Sequence, residues 1–293
     1  MRLIAGLFIV VLLANFAFAN EIDQLRSWED VNKFVHDRVI KDEPDMVFLE
    51  EDKSPGSKFG KNKFFKLDLD GNGLTDLVID GRYFFAISDL GGKYDFYSLD
   101  KGTFSLNKYT LINIIYKDKI PLLVIRRYNP DDGSTLGRET EKTVLMKFDD
   151  FIEYNANPDN LRIQQIDFST TQCFGACPVF KLSISQGRKA KYDAIEHNDL
   201  AGKFESVIDA KDFEQLIQTI NYISPESLKN KYAVDWTDDQ GATLTVKYNN
   251  GKVKRIGDYG MIGTFGLENL YNQLSLLRKT QNWTKHQPTS VTH

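Results

Sequence analysis

Nine residues constrain the folding of this chain more than any others: Asp68-Leu69-Asp70-Gly71-Asn72-Gly73-Leu74-Thr75-Asp76. They separate two apolar runs, residues 64–67 and 77–79, so the segment must turn sharply between two buried stretches. Asp68, Asp70, Asn72 and Asp76 fall at positions 1, 3, 5 and 9 of a loop, with Gly73 at position 6 for the turn. Leu74 at position 7 offers a backbone carbonyl. A hard cation that takes six to eight oxygens uses this donor set, and calcium is the expected ion. Carboxylates packed this closely repel one another unless something positive sits between them. The competing reading is an ion-free, solvated turn rich in Asp and Asn.

Position 12, where an EF-hand carries a bidentate Glu, is Ile79 inside an apolar run. A helix–loop–helix calcium site is therefore not expected. The stretch from Phe65-Lys66-Leu67-Asp68 to Asp76-Leu77-Val78-Ile79 instead resembles one FG-GAP (integrin α, VCBS-type) repeat. Ser88-Asp89-Leu90-Gly91-Gly92-Lys93-Tyr94 is similar to that repeat's later turn. The resemblance covers about residues 59–100. It implies a loop joining two strands, with Asp76 closing a calcium site. A propeller needs several such repeats, and no second copy is present.

Residues 1–19 combine Arg2, an apolar core over 3–13 and the small-x-small ending Ala17-Phe18-Ala19. This is the pattern of a secretory signal, with a mature chain starting at Asn20. The apolar core is short for a membrane span, and no cysteine follows for a lipid anchor. The mature chain is expected to be secreted or periplasmic and not integral to a membrane. At 41% hydrophobic residues it can bury real cores. A net charge of −4 gives no electrostatic support for nucleic-acid binding.

Ser27 followed by Asp30 signals a helix start, and Trp28, Val31, Phe34, Val35 and Val39 keep helical spacing. Residues 52–61 read as a polar loop. Runs at 82–88, 94–99, 110–116, 122–128 and 143–148 read as strands, and 129–133 as a turn. The expected fold class is α+β, in two domains, each an antiparallel sheet with a few packed helices. The expected divisions are a mainly β domain over 20–157, an α+β domain over 158–280 and a frayed polar tail over 281–293.

In the second half, Cys173-Phe174-Gly175-Ala176-Cys177-Pro178-Val179-Phe180 stands beside a strand at 161–168. The four-residue spacing is compatible with a disulfide across a tight turn, with Gly175 supplying the unusual backbone. An oxidising destination favours that bridge. A redox-active pair lacks the usual two-residue spacing, and a metal site lacks further soft ligands nearby. The Cys-Phe-Gly-x-Cys-Pro-x-Phe motif, with Asp238, residues 243–248 and Asn250-Gly251-Lys252, resembles a domain of unknown function found in secreted bacterial proteins. That resemblance implies export and a domain type, and no activity. Apolar stripes at 213–223 and 267–277 predict two core helices.

No phosphate loop and no nucleophile elbow occurs. His36, His197, His286 and His293 show no ligand spacing. Tyr192-Asp193, Glu196-His197 and Asp235, Asp238 and Asp239 are the available acid–base groups. The leading expectation is a non-catalytic, calcium-stabilised module that binds a protein or a cell-envelope surface. The alternative is a periplasmic enzyme, either a thiol oxidoreductase using Cys173 and Cys177 or a carboxylate-based hydrolase.

Overall fold

The computed structural model describes residues 20–41, 63–81, 83–101, 108–129, 134–135 and 141–286. The expected signal segment at 1–19, Pro44, the expected loop at 52–61, Arg82, the expected turn at 130–133 and residues 287–293 of the expected tail lie outside the described residues. Two short helices open the described chain, α1 (Glu21–Gln24) and α2 (Trp28–Phe34). Ser27 caps α2 as its sequence requires. The Asp30 amide donates to the Ser27 hydroxyl at 3.1 Å, and the Ser27 amide donates to the Asp30 carboxylate at 2.8 Å. The helix passes into one π-helical turn, Val35–Val39, which carries His36.

An antiparallel meander follows: β1 (Lys63–Leu67), β2 (Asp76–Asp80), β3 (Phe84–Asp89) and β4 (Tyr94–Ser98). The second sheet contains β5 (Lys108–Lys117), β6 (Ile120–Asn129), β7 (Ser134–Thr135), β8 (Glu141–Lys147) and β9 (Asp150–Glu153). Its order is β5-β6-β8-β9, with β7 paired to β6. Successive side chains on a strand point to opposite faces. Leu77, Ile79, Phe85 and Ile87 therefore pack on Ile22, Val31 and Phe34 of the helices. Val78, Phe84 and Ala86 point the other way and pack with Leu123, Ile125, Val144 and Phe151 of the second sheet. Because β2 and β3 are covered on both faces, they read as unbroken apolar runs rather than as alternation.

The third sheet gathers β10 (Ile163–Thr170), β11 (Val179–Ser185), β12 (Lys189–Glu196) and β13 (Gly202–Val207), followed by helix α3 (Ala210–Ile223). It is completed by β14 (Lys231–Ala233), β15 (Gly241–Tyr248) and β16 (Lys252–Tyr259), then helix α4 (Phe265–Thr280) and β17 (Thr284–Lys285). The order is β14-β16-β15-β10-β11-β12-β13-β17. Every pairing is antiparallel except β14 with β16. Leu216 and Ile220 of α3, with Leu267, Leu270 and Leu274 of α4, cover Phe168, Phe180, Leu244 and Val246. Each such side chain contributes about 1.5–3 kcal/mol by burial. Tyr222 of α3 also packs on Leu122, Leu145 and Ile152, the far face of the second sheet.

The α+β expectation is overturned. Strands take 45% of the described residues and helices 22%, so the chain is mostly β, in three sheets. The first half holds two packed sheets instead of one, and its helices are short. The third sheet is wider than its periodicity implied. β9, β14 and β17 have four, three and two residues, too few to show alternation, and long-range pairing forms them. The described part of the expected tail, residues 281–286, is held against the third sheet, and residues 287–293 lie outside the described residues. Trp283 packs 5.1 Å from the Tyr192 ring, and β17 pairs with β13.

Candidate metal centre

The acidic loop is the turn between β1 and β2, which pair in register from Leu67 opposite Asp76 to Lys63 opposite Asp80. Gly71 and Gly73 lie at φ +78° and +84°, the left-handed region that lets the chain reverse without Cβ strain. Backbone amides then fold the acids inward. Gly71 and Gly73 donate to the two Asp68 oxygens at 2.9 and 3.1 Å. The Asn72 amide donates to Asp70 at 3.0 Å. Asp76 is fully buried at the start of β2 and accepts from the amides of Leu69 at 2.7 Å and Asp89 at 2.8 Å. The Ser88 hydroxyl of β3 lies 3.0 Å from Asp70 and 3.2 Å from Asp76, bridging the two acids. One carboxylate oxygen from each of Asp68, Asp70 and Asp76 lies within 4.8 Å of the others.

Among the described residues, every hydrogen-bond donor to these three carboxylates is a neutral N–H or O–H. Burial, helped by the neighbouring Asp70 charge, pushes the Asp76 carboxyl up to about 6 against the hydrogen bonds that lower it. Both Asp68 oxygens, Asp70 Oδ1 and Asp76 Oδ2 each accept a single hydrogen bond and keep lone-pair capacity for a cation. The other two expected ligands are placed differently. The Asn72 side-chain oxygen accepts from the Leu74 amide at 2.7 Å. Its amide nitrogen donates to Asp70 and to the Asp89 carbonyl. The later turn expected from the repeat resemblance is a tight one. Asp89 accepts from the amides of Gly91 and Gly92, both at 2.8 Å, and ties this turn to the acidic loop. Asn20, the first described residue, donates to the Thr75 carbonyl at 2.7 Å.

Cys173 and Cys177 form a disulfide. Gly175 sits between them at φ +151° and donates to the Cys173 carbonyl at 3.0 Å. The bridge leaves Phe174 on the loop tip at 90% exposure, far above any other large apolar side chain in the described residues. The Phe174 amide donates to the Asp238 carbonyl at 2.9 Å, joining this loop to the segment that carries Asp235, Asp238 and Asp239.

The other acid–base groups do not assemble into a catalytic set. Tyr192 is a core ring packed between Phe180 and Phe204. Glu196 accepts from Gln172 at 2.7 Å and lies 3.5 Å from His197. His286 faces Glu205 on a separate strand. Asp239 accepts the Trp236 indole at 3.0 Å, and Asp238 accepts the Thr237 hydroxyl at 3.1 Å. Among the described residues no helix is long and apolar enough to cross a membrane.

A second acidic centre escaped the sequence reading. Glu153, at the end of β9, accepts the Phe265 and Gly266 amides at 3.0 and 2.9 Å and so caps α4. Lys142 pairs with it at 2.7 Å, and Lys101 pairs with Glu268 at 3.0 Å. Residues 112 positions apart carry no local sign of meeting. No curated protein and no solved structure matches the chain. A family match is confined to the second half, where it takes in the Cys173–Cys177 loop, α3 and nearly all of α4 and leaves out the acidic hairpin. A domain of unknown function, DUF6438, covers residues 164–278.

Proposed function

We propose that this chain is an exported, non-catalytic binding module whose first sheet is stiffened by one calcium ion at the β1–β2 turn. The observation that carries the reading is the convergence of Asp68, Asp70 and Asp76 with only neutral donors around them. Among the described residues their charge has no counter-ion within hydrogen-bond reach, and a hard divalent cation supplies one. The three carboxylates would hold the ion, and the Asn72 side-chain oxygen and the Leu74 carbonyl lie in the same turn. Asp76 takes the closing role that a Glu at position 12 plays in an EF-hand, since Ile79 is buried in β2. The ion would lock β1, β2 and the β3–β4 turn together. The signal-like segment at 1–19 and the disulfide support export to the periplasm or beyond. There the partner is a protein or a cell-envelope surface.

Thermal unfolding with calcium and with chelator, in wild type and Asp70→Ala, tests this reading. Sites of this type bind at about 10⁻⁴ to 10⁻³ M. Calcium at about 100 times its dissociation constant adds roughly 2.7 kcal/mol. The account requires that shift in wild type and its loss in Asp70→Ala. Equal midpoints with and without calcium in wild type would remove the reading.

A further inference from the structure

A cleft of about 430 Å³ lies between the second sheet and the segment around β14. Its size falls within the range of small-molecule sites. Tyr109 of β5, Arg127 of β6 and Lys142 of β8 form one wall. The opposite wall carries Tyr232, Trp236 and Tyr259, three aromatic rings each pinned at the polar tip. The Lys229 amide donates to the Tyr232 hydroxyl at 3.0 Å. The Asp239 amide donates to the Tyr259 hydroxyl at 3.1 Å, and the Trp236 indole donates to Asp239 at 3.0 Å. With their tips engaged the rings are held in place before any ligand arrives, which is the condition for a preorganised site. Two glycines allow the loop after β16 to approach this wall. A Cβ on Gly260 would lie 2.5 Å from Val234, and one on Gly263 would lie 2.4 Å from the Tyr232 ring.

Charge decides the ligand class. Arg127 and Lys142 line the cleft together with Asp235 and Asp258. An anion would meet the two carboxylates, and a cation would meet Arg127 and Lys142. Lys142 keeps Glu153 as its partner at 2.7 Å and Asp258 keeps the Gly263 amide at 2.9 Å, but a purely apolar ligand would desolvate Arg127 and Asp235 without giving them partners. A neutral ring bearing many hydroxyls meets every requirement. Its C–H face lies flat on an aromatic ring, and its hydroxyls donate to carboxylates and accept from Arg and Lys. We propose that this cleft binds a neutral saccharide. The proposal rests on the binding-module reading and gives it a ligand class.

Saturation-transfer NMR on the full mature chain tests it with a fixed panel of probes. The panel is glucose, galactose, N-acetylglucosamine and their β-1,4-linked dimers, each at about 10 mM, a level that detects millimolar affinity. Transfer to at least one sugar is expected. Trp236→Ala should weaken it by about tenfold or more, as should Asp235→Asn at an exposed position where the fold is not at risk. No transfer to any panel member overturns the proposal, as does transfer unchanged in both variants. Tighter binding of inorganic phosphate or choline in the same cleft also overturns it. Calcium shifts measured on the same samples keep the two readings apart. A calcium shift without sugar transfer sinks the cleft proposal alone, and sugar transfer without a calcium shift sinks the calcium reading alone.

Discussion

Two acidic clusters in this molecule solve the same electrostatic problem in opposite ways. At the base of α4, Glu153 has Lys142 at 2.7 Å and Glu268 has Lys101 at 3.0 Å. Burial alone would raise the Glu153 carboxyl, but the Lys142 charge and two helix amides overcome it and hold it below its usual value. At the β1–β2 turn, Asp68, Asp70 and Asp76 come as close together with no cation among their hydrogen-bond partners in the described residues, and burial leaves Asp76 raised. The first cluster is neutralised from within the fold and holds a helix in place. In the proposed reading the second takes its compensating charge from a bound cation. Proximity of carboxylates does not separate a structural cluster from an ion site, whereas the source of the compensating charge does.

The largest expected effect belongs to the self-neutralised cluster. Glu153→Ala removes the α4 cap and leaves Lys142 without its partner, and should cost about 3 kcal/mol in chemical denaturation. The cost should be the same with calcium or with chelator. A calcium-dependent cost would erase the distinction between the two clusters. Next comes the covalent solution to holding a turn. Converting both Cys173 and Cys177 to Ser should cost about 2 kcal/mol, because the closed loop is short. Calcium should not alter that value either.

A pH effect of about 1–2 kcal/mol is expected at Asp258, which belongs to neither cluster. Burial lifts its carboxyl to about 6 from the ordinary 3.8, against a hydrogen bond from the Gly263 amide. The folded state therefore holds this proton more tightly than the unfolded chain. The stabilisation is complete below about pH 4 and is lost as pH rises through about 6. Comparing wild type with Asp258→Asn by urea denaturation across that window isolates it, and the variant should show the shallower decline. Smallest, and opposite in sign, is Asp70→Asn in chelator. Relieving repulsion at the acidic turn should stabilise the ion-free protein by about 0.5–1 kcal/mol. Destabilisation in chelator would mean that the three carboxylates do not repel.

Much of the local chemistry was legible in the chain. The Ser27–Asp30 cap, the turn glycine Gly73 and the Cys173–Cys177 spacing each act within a few residues, and the structure shows each of them. The convergence of Asp68, Asp70 and Asp76 belongs with them. The fold class was less legible, for a physical reason. An apolar run such as 77–79 is the same string whether one sheet or two cover it, and β17 exists only because β13 offers an edge. Ser88 completes the acidic turn from a separate hairpin, and Glu153 reaches α4 across 112 residues. Arg127 and Tyr259 share a cleft although no local pattern joins them. Such pairings are properties of topology, and a single sequence encodes them only through the whole fold.

Calcium binding measured by isothermal titration calorimetry on the mature chain tests the central claim most directly. The account predicts one ion per chain, with heat that vanishes in Asp70→Ala and survives in Glu153→Ala. Absence of binding at millimolar calcium, or binding retained in Asp70→Ala, would contradict it.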